Sequence, residues 1–193
     1  MITQIEGKLV EKHPTHVVVN CNGLGYEVHI SLHTFSQLRD EEYIKLHTHF
    51  HVREDVQMLY GFKDTVERDI FRLLIGVSGI GTSTARTMLS SLPPDEIHAA
   101  IAGEDVATIQ SIKGIGAKTA QRVIIDLKDK VKALPAGAKI QTVSNNTFKE
   151  EALSALEVLG YPRRSAEKVI DNLVQSAPES SVEELIRKAL NKL

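Results

Sequence analysis

Residues 1–62 alternate apolar and polar positions with a period of two. Ile5, Gly7 and Leu9 interleave with Glu6, Lys8 and Val10, and Val17-Val18-Val19 leads to a turn at Asn22-Gly23. Gly25-Tyr26-Glu27-Val28-His29-Ile30 follows. Residues 43–52 then place Ile44, Leu46, Thr48, Phe50 and Val52 on one face and Lys45, His47, His49 and His51 on the other. After a short polar turn comes Val56-Gln57-Met58-Leu59-Tyr60. Short runs of this period, broken by Gly and Asn turns, predict four to six strands curled into a small β-barrel of OB type.

The period becomes helical from residue 63. Asp64 is placed to cap a helix, with Glu67 as its reciprocal capping-box partner, and Phe71, Leu74 and Ile75 form the apolar stripe. A second helix runs to Leu89, Pro93-Pro94 opens another carrying Ile97 and Ile101, and Gly103 ends it. Val106 and Ile109 mark a short helix, and a long one extends to about Val131. Residues 135–147 are small and polar without periodicity, as a flexible linker would be. Residues 148–193 predict three short helices. Capping boxes are expected at Thr147/Glu150 and Ser181/Glu184, with an apolar stripe at Leu153, Leu156 and Leu159, a stop at Gly160 and a break at Pro178. The predicted class is α+β multidomain: a barrel at 1–62, a helical domain at 63–134, a linker at 135–147 and a three-helix bundle at 148–193.

Composition narrows the chemistry. No apolar run approaches the ~20 residues of a membrane span. The N-terminus lacks the basic start and apolar stretch of a secretory signal, and the lone Cys21 fits a reducing cytoplasm. Net charge is −2, and no segment is strongly basic: residues 63–134 hold ten basic and nine acidic side chains. Any contact with nucleic acid must then rest on local geometry and backbone donors more than on a broad positive field.

Such a geometry is written twice. Val77-Ser78-Gly79-Ile80-Gly81-Thr82-Ser83-Thr84-Ala85 is echoed 35 positions later by Ile112-Lys113-Gly114-Ile115-Gly116-Ala117-Lys118-Thr119-Ala120. Each copy ends one helix and opens another. A glycine turn there exposes backbone N–H groups at a helix N-terminus, where partial positive charge collects, and so forms a phosphate cradle. A dinucleotide fingerprint would require a preceding strand and a third glycine, which neither copy has. The pattern looks like a tandem helix-hairpin-helix, with Ile80 and Ile115 tucked into the hairpin cores. Such contacts position a protein on DNA without reading bases. Lys118 and Arg122 add charge to the second copy, and Thr119 a hydroxyl.

The other candidate features are weaker. Arg53-Glu54-Asp55 lies at a turn between strands, where acidic residues usually serve solubility; pointed at DNA, two carboxylates would repel phosphates and keep strands apart. The His47, His49, His51 row has no neighbouring Asp, Glu or Cys and converges poorly on one ion, so a solvated or DNA-facing strand is expected rather than a metal site. No Walker A sequence and no local Cys-His or Ser-His set is present, so no catalysis, metal or cofactor is expected. The C-terminal bundle resembles ubiquitin-associated bundles, either as a plain packed unit or as a tethered docking module. Three other readings stand beside a backbone-gripping one: a DNA glycosylase, nuclease or ligase, a single-strand-binding barrel, and a protein adaptor whose hairpins are only packing turns.

The order and spacing of these pieces resemble the RuvA family, the Holliday-junction-binding subunits of bacterial branch-migration complexes. The resemblance spans essentially the whole chain, through Arg53-Glu54-Asp55, Leu59-Tyr60-Gly61-Phe62, the two hairpins, a linker and Leu159-Gly160-Tyr161. It implies a non-catalytic DNA-binding subunit that holds a four-way junction open and square-planar during recombination and repair. It implies a flat homotetramer, with an octamer as the alternative. The DNA arms would lie against Gly79, Gly81, Thr82, Ser83, Gly114, Gly116, Lys118, Thr119 and Arg122. Glu54 and Asp55 would form an acidic pin at the centre. The bundle would dock on a RuvB-type hexameric ATPase through Leu156, Leu159 and Tyr161, with a RuvC-type resolvase as a further partner. Family members often carry Lys where this chain has Ser83 and Ala117, so the resemblance also implies fewer cationic contacts here.

Overall fold

A computed structural model gives the architecture of residues 1–38, 42–132, 145–176 and 181–192. The chain forms two compact units, divided between residues 132 and 145. The first begins with a closed barrel of five strands: β1 (Gln4–Lys12), β2 (His16–Cys21), β3 (Leu24–Ile30), β4 (Tyr43–Val52) and β5 (Gln57–Phe62). Their order around the barrel is β1-β2-β3-β5-β4. β4 closes the ring on β1 with Ile5 opposite Leu46, and β3 meets β5 in parallel. The period-two pattern sends Ile5, Val17, Val19, Val28, Ile30, Ile44 and Leu46 inward. Asn22 and Gly23 turn the β2–β3 hairpin with positive φ at both positions, as a two-residue hairpin loop requires.

One helix inside the barrel segment is absent from the sequence reading. α1 (Leu32–Gln37) sits between β3 and β4, capped by Ser31, whose Oγ accepts from the Thr34 N–H at 2.9 Å. Five helices follow: α2 (Thr65–Ile75), α3 (Thr82–Ser91), α4 (Pro94–Ala102), α5 (Val106–Gln110) and α6 (Ala117–Lys132). Their apolar stripes share one core that includes Ile70, Phe71, Leu74, Met88, Ile97 and Leu127. Tyr60 and Phe62 of β5 belong to that core, whereas Leu59 belongs to the barrel core. β5 is therefore buried on both faces, and Phe71 meets the rings of Tyr60 and Phe62 at centroid distances of 5.1 and 4.9 Å.

Asp64 caps α2 as expected, accepting from the Glu67 N–H at 2.7 Å. Glu67 does not reach back to complete a capping box. Its carboxylate is fully buried and accepts from the Ser31 and Thr34 hydroxyls, pinning α1 to α2. The His row is partly covered. α2 packs against the outer face of β4, where the His49 ring lies tilted against Phe71 at a centroid distance of 5.5 Å. Burial, followed by Arg68 for His47 and Arg72 for His49, lowers the pKa of both imidazoles. A face that alternates correctly for solvent thus lies partly under a helix, and His47, His49 and His51 are each half-buried.

The second unit packs α7 (Asn145–Val158), α8 (Arg163–Ser176) and α9 (Val182–Leu190) around Leu153, Leu156, Ala166, Ile170 and Leu185. Residues 135–144 of the expected linker lie outside the described residues, as does Pro178, and Asn145–Thr147 already belong to α7. Thr147 is accordingly inside the helix rather than its cap. Ser181 caps α9, accepting from the Glu184 N–H at 3.3 Å. α7 closes at Gly160, with φ +93°. The Tyr161 N–H reaches the Leu156 carbonyl at 3.0 Å and the Gly160 N–H the Glu157 carbonyl at 3.0 Å, a Schellman closure.

Burial raises the Glu67 pKa to about 7, only partly offset by the Ser31 and Thr34 hydroxyls. Between its ordinary value near 4.5 and about 7, the folded chain holds a proton that the unfolded chain has released. This group's contribution to stability is therefore complete below 4.5 and is lost as pH rises through 7. Glu67→Gln removes the titration, so its stability relative to the parent should rise by about 2–3 kcal/mol between pH 5 and pH 8. Urea unfolding at fixed protein concentration measures this, and a pH-independent difference would contradict the assignment.

Candidate nucleic-acid interface

The two glycine turns are built alike, bond for bond. In the first, the Ile80 N–H donates to the Val77 carbonyl at 3.0 Å and the Ala85 N–H to the Gly81 carbonyl at 2.9 Å. In the second, Ile115 donates to Ile112 at 3.0 Å and Ala120 to Gly116 at 2.9 Å. Gly79 and Gly114 hold φ at +96° and +92°, a region that a Cβ disfavours. Ile80 and Ile115 are buried in the helical core, which forces the flanking glycines outward, and Gly79, Gly81, Gly114 and Gly116 are all exposed.

Gly81 precedes α3 in extended backbone and offers no side-chain cap. A helix cannot pair the N–H groups of its first turn internally. Thr82, Ser83 and Thr84, and likewise Ala117, Lys118 and Thr119 at the start of α6, therefore present amides to whatever approaches the turn. An anion there meets both the donors and the helix dipole. No atom lies within 4 Å of a Cβ built at Gly79, Gly81, Gly114 or Gly116, so each turn is open at its tip.

Their charges differ. Around the second turn Lys113, Lys118 and Arg122 are all exposed. Lys118 and Arg122 border a shallow surface depression on α6 with Gln121, Ile125 and Asp126. The first turn carries no cation between Val77 and Ala85; Ser83 is exposed and Thr82 half-buried, its Oγ1 accepting from the Tyr60 hydroxyl at 2.9 Å. Thr119 is half-buried too. The structure thus gathers Gly79, Gly81, Thr82 and Ser83 at one cradle and Gly114, Gly116, Lys118, Thr119 and Arg122 at another, within the same compact unit. The engagement of Thr82 by the barrel has no local signal in the sequence, because Tyr60 lies 22 positions away.

The acidic turn joins β4 to β5. The Arg53 N–H closes it on the Val56 carbonyl at 2.8 Å, and the Arg53 side chain folds back to the His51 imidazole at 3.0 Å, leaving Glu54 and Asp55 exposed. His33, Asp64 and Glu67 come within 4.8 Å of one another. Both Glu67 oxygens already accept hydrogen bonds from hydroxyls, Asp64 caps α2, and His33 Nε2 lies 2.7 Å from Gln37 Nε2 within α1.

In the second unit, Leu156 is 0% exposed. It packs in the bundle core and cannot itself present a docking surface, because the α7 stripe that predicted it is the same stripe that holds the bundle together. Leu159 is 57% exposed and the neighbouring Val158, absent from the expected set, 85%. Tyr161 is partly buried against the core.

Glycine chemistry at the turns separates two kinds of substitution. Gly79→Ala and Gly114→Ala should each cost about 1–2 kcal/mol, since both place a Cβ at positive φ. Gly81→Asp and Gly116→Asp should stay within about 0.5 kcal/mol of the parent, because Asp is a good N-cap. Chemical unfolding of the four variants checks this; equal losses at all four positions would mean that the turn geometry is misassigned.

Known families share this arrangement. Residues 1–61 match the family model described as the RuvA N terminal domain, residues 71–129 the SAM-like helix-hairpin-helix tandem, and residues 148–193 the RuvA C-terminal domain. The chain is 60% identical over the full length of both sequences to the Holliday junction branch migration complex subunit RuvA of Christiangramia forsetii. It is 56% identical to the protein of that name from Flavobacterium psychrophilum and 43% identical to that from Bacteroides thetaiotaomicron, again over the full length of each.

Proposed function

The chain belongs to the RuvA family, and on that premise we propose that it is the junction-binding subunit of a branch-migration complex. It grips the sugar-phosphate backbone of four-way junction DNA at its two glycine turns and carries out no chemistry of its own. The observation that carries this reading is the duplicated cradle: two helix N-termini, 35 residues apart, with matched hydrogen bonds and open tips.

The physics suits a site through which DNA must move. Backbone donors hold any sequence equally, whereas each base-specific contact would add a barrier of about 1–3 kcal/mol to sliding. A near-neutral surface also limits adhesion to ordinary duplex, since most non-specific affinity comes from phosphate neutralisation. The exposed carboxylates of Glu54 and Asp55 repel phosphates and favour a junction opened around them. In a four-fold homotetramer these pins meet at the centre and the junction is held square-planar. The C-terminal bundle, with Leu159 and Val158 exposed and Tyr161 half-buried beside them, docks on a RuvB-type hexameric ATPase that supplies the work, and a RuvC-type resolvase acts on the same substrate. Among the described residues no helix is long and apolar enough to cross a membrane, and the complex acts in the cytoplasm.

A gel-shift titration in EDTA, comparing a synthetic four-way junction with linear duplex of the same arm sequence, tests the reading. Strong junction preference is expected. Gly81→Asp and Gly116→Asp should each weaken junction binding by about 10- to 100-fold, the worth of a charge-assisted hydrogen bond or two. Equal binding of both DNAs, or none, would sink the proposal and leave the adaptor reading. Lys118→Ala should also flatten the slope of log affinity against log salt by about 0.9, if that lysine neutralises one duplex phosphate. Ser83→Ala should leave the slope unchanged.

A further inference from the structure

The two halves of the repeat treat one helix face differently. On α3, Thr82, Arg86 and Ser90 recur every fourth residue and so line one side of the helix. Each makes a polar contact with a different part of the barrel segment. Thr82 accepts from Tyr60 on β5 at 2.9 Å. The Arg86 Nη1 donates to the Thr15 carbonyl at 3.3 Å and approaches His29 Nδ1 on β3 at 3.4 Å. Ser90 Oγ accepts from the Leu32 N–H, at the start of α1, at 3.1 Å, while its own hydroxyl donates to the Arg86 carbonyl at 2.8 Å. The buried residues Ala85, Met88 and Leu89 belong to the helical core.

The equivalent positions in the second copy are Ala117, Gln121 and Ile125. All three are exposed, Ile125 by 79%. The seam is therefore not something the hairpin motif needs in order to fold. It is particular to the copy that lies beside the barrel. The His29 contact also fixes a tautomer. Because Arg86 can only donate, Nδ1 accepts, and the ring proton sits on Nε2, 3.7 Å from the Glu27 carboxylate. Burial and Arg86 both lower the His29 pKa, consistent with that neutral form.

We propose that the Thr82–Arg86–Ser90 seam is a positioning device that sets the first phosphate cradle at a fixed place relative to the acidic β4–β5 turn, and so determines the preference for junction over plain duplex. This rests on the junction-binding reading above. Thr82, expected to contact DNA, works in this arrangement chiefly as the first anchor of the seam. Arg86, the first cation after Gly81 in the sequence, is spent on the barrel rather than on phosphate. A duplex arm needs only the cradles. A junction needs the cradles and the acidic pins in register, so loosening the seam should harm junction binding selectively.

The test compares junction and duplex affinity across a salt series for the parent, Tyr60→Phe, Arg86→Met, Ser90→Ala and the Tyr60→Phe/Arg86→Met pair. Tyr60→Phe keeps the ring packed on Phe71 and removes only the hydroxyl, so it isolates the seam from the core. The expected result is an unchanged duplex affinity and salt slope, with junction preference down at least fivefold in the pair and by a smaller factor in each single variant. Unchanged preference would overturn the proposal. So would a salt slope flattened by about 0.9 in Arg86→Met, which would make Arg86 a phosphate contact itself. Parallel loss of both affinities with a lowered unfolding temperature in Tyr60→Phe would reduce the seam to a folding element and overturn it as well. A parent protein without junction preference would remove the underlying reading, and a parent with preference but indifferent variants would remove only this inference.

Discussion

A strand buried on both faces cannot belong to one domain alone. β5 gives Leu59 to the barrel core and Tyr60 and Phe62 to the helical core, and this double burial makes residues 1–132 behave as one body. Offset aromatic contacts of the kind Phe71 makes with Tyr60 and Phe62 are worth about 0.5–1.5 kcal/mol each beyond their area. The buried Glu67 adds a second joint, tying α1 to the start of α2 through two hydroxyls. The consequence is functional. The glycine turns and the acidic turn that leads into β5 thus belong to one compact unit.

That rigidity explains how a protein of net charge −2 can recognise a polyanion. Affinity supplied by a diffuse positive field would attach the protein to any duplex. Donors fixed at helix N-termini act only over a short range and only in one orientation. The two cradles differ in charge. The second is flanked by the exposed Lys113, Lys118 and Arg122, whereas no cation lies between Val77 and Ala85 in the first.

Much of this was legible in the sequence. The period-two pattern of residues 1–62 and the shift to a helical period at Asp64 mark the barrel and its helical neighbour, and the doubled Gly-Ile-Gly marks the two turns, because buried Ile80 and Ile115 and the positive φ of Gly79 and Gly114 are local requirements. What failed to show depends on contacts distant in sequence. α1 is short, and its capping Ser31 lies in a stretch dominated by strand patterns. Glu67 occupies the right place for a capping box, yet its carboxylate is drawn instead to Ser31 and Thr34, more than 30 positions upstream. The His47–His51 face alternates as a solvent face would, and nothing in its own sequence reveals that α2 partly covers it. Leu156 is apolar at helical spacing, and periodicity does not distinguish the stripe that packs a bundle from one offered to a partner.

If the unpaired backbone amides of the two glycine turns hold junction DNA, its binding must shield them from solvent. Hydrogen–deuterium exchange measured by mass spectrometry, with and without a four-way junction, tests it directly. In the free protein the amides of residues 81–84 and 116–119 lack the intrahelical partners that slow exchange. The account predicts marked slowing in peptides covering both stretches when junction is added. No slowing in either stretch, with protection appearing elsewhere on the first unit, would contradict it.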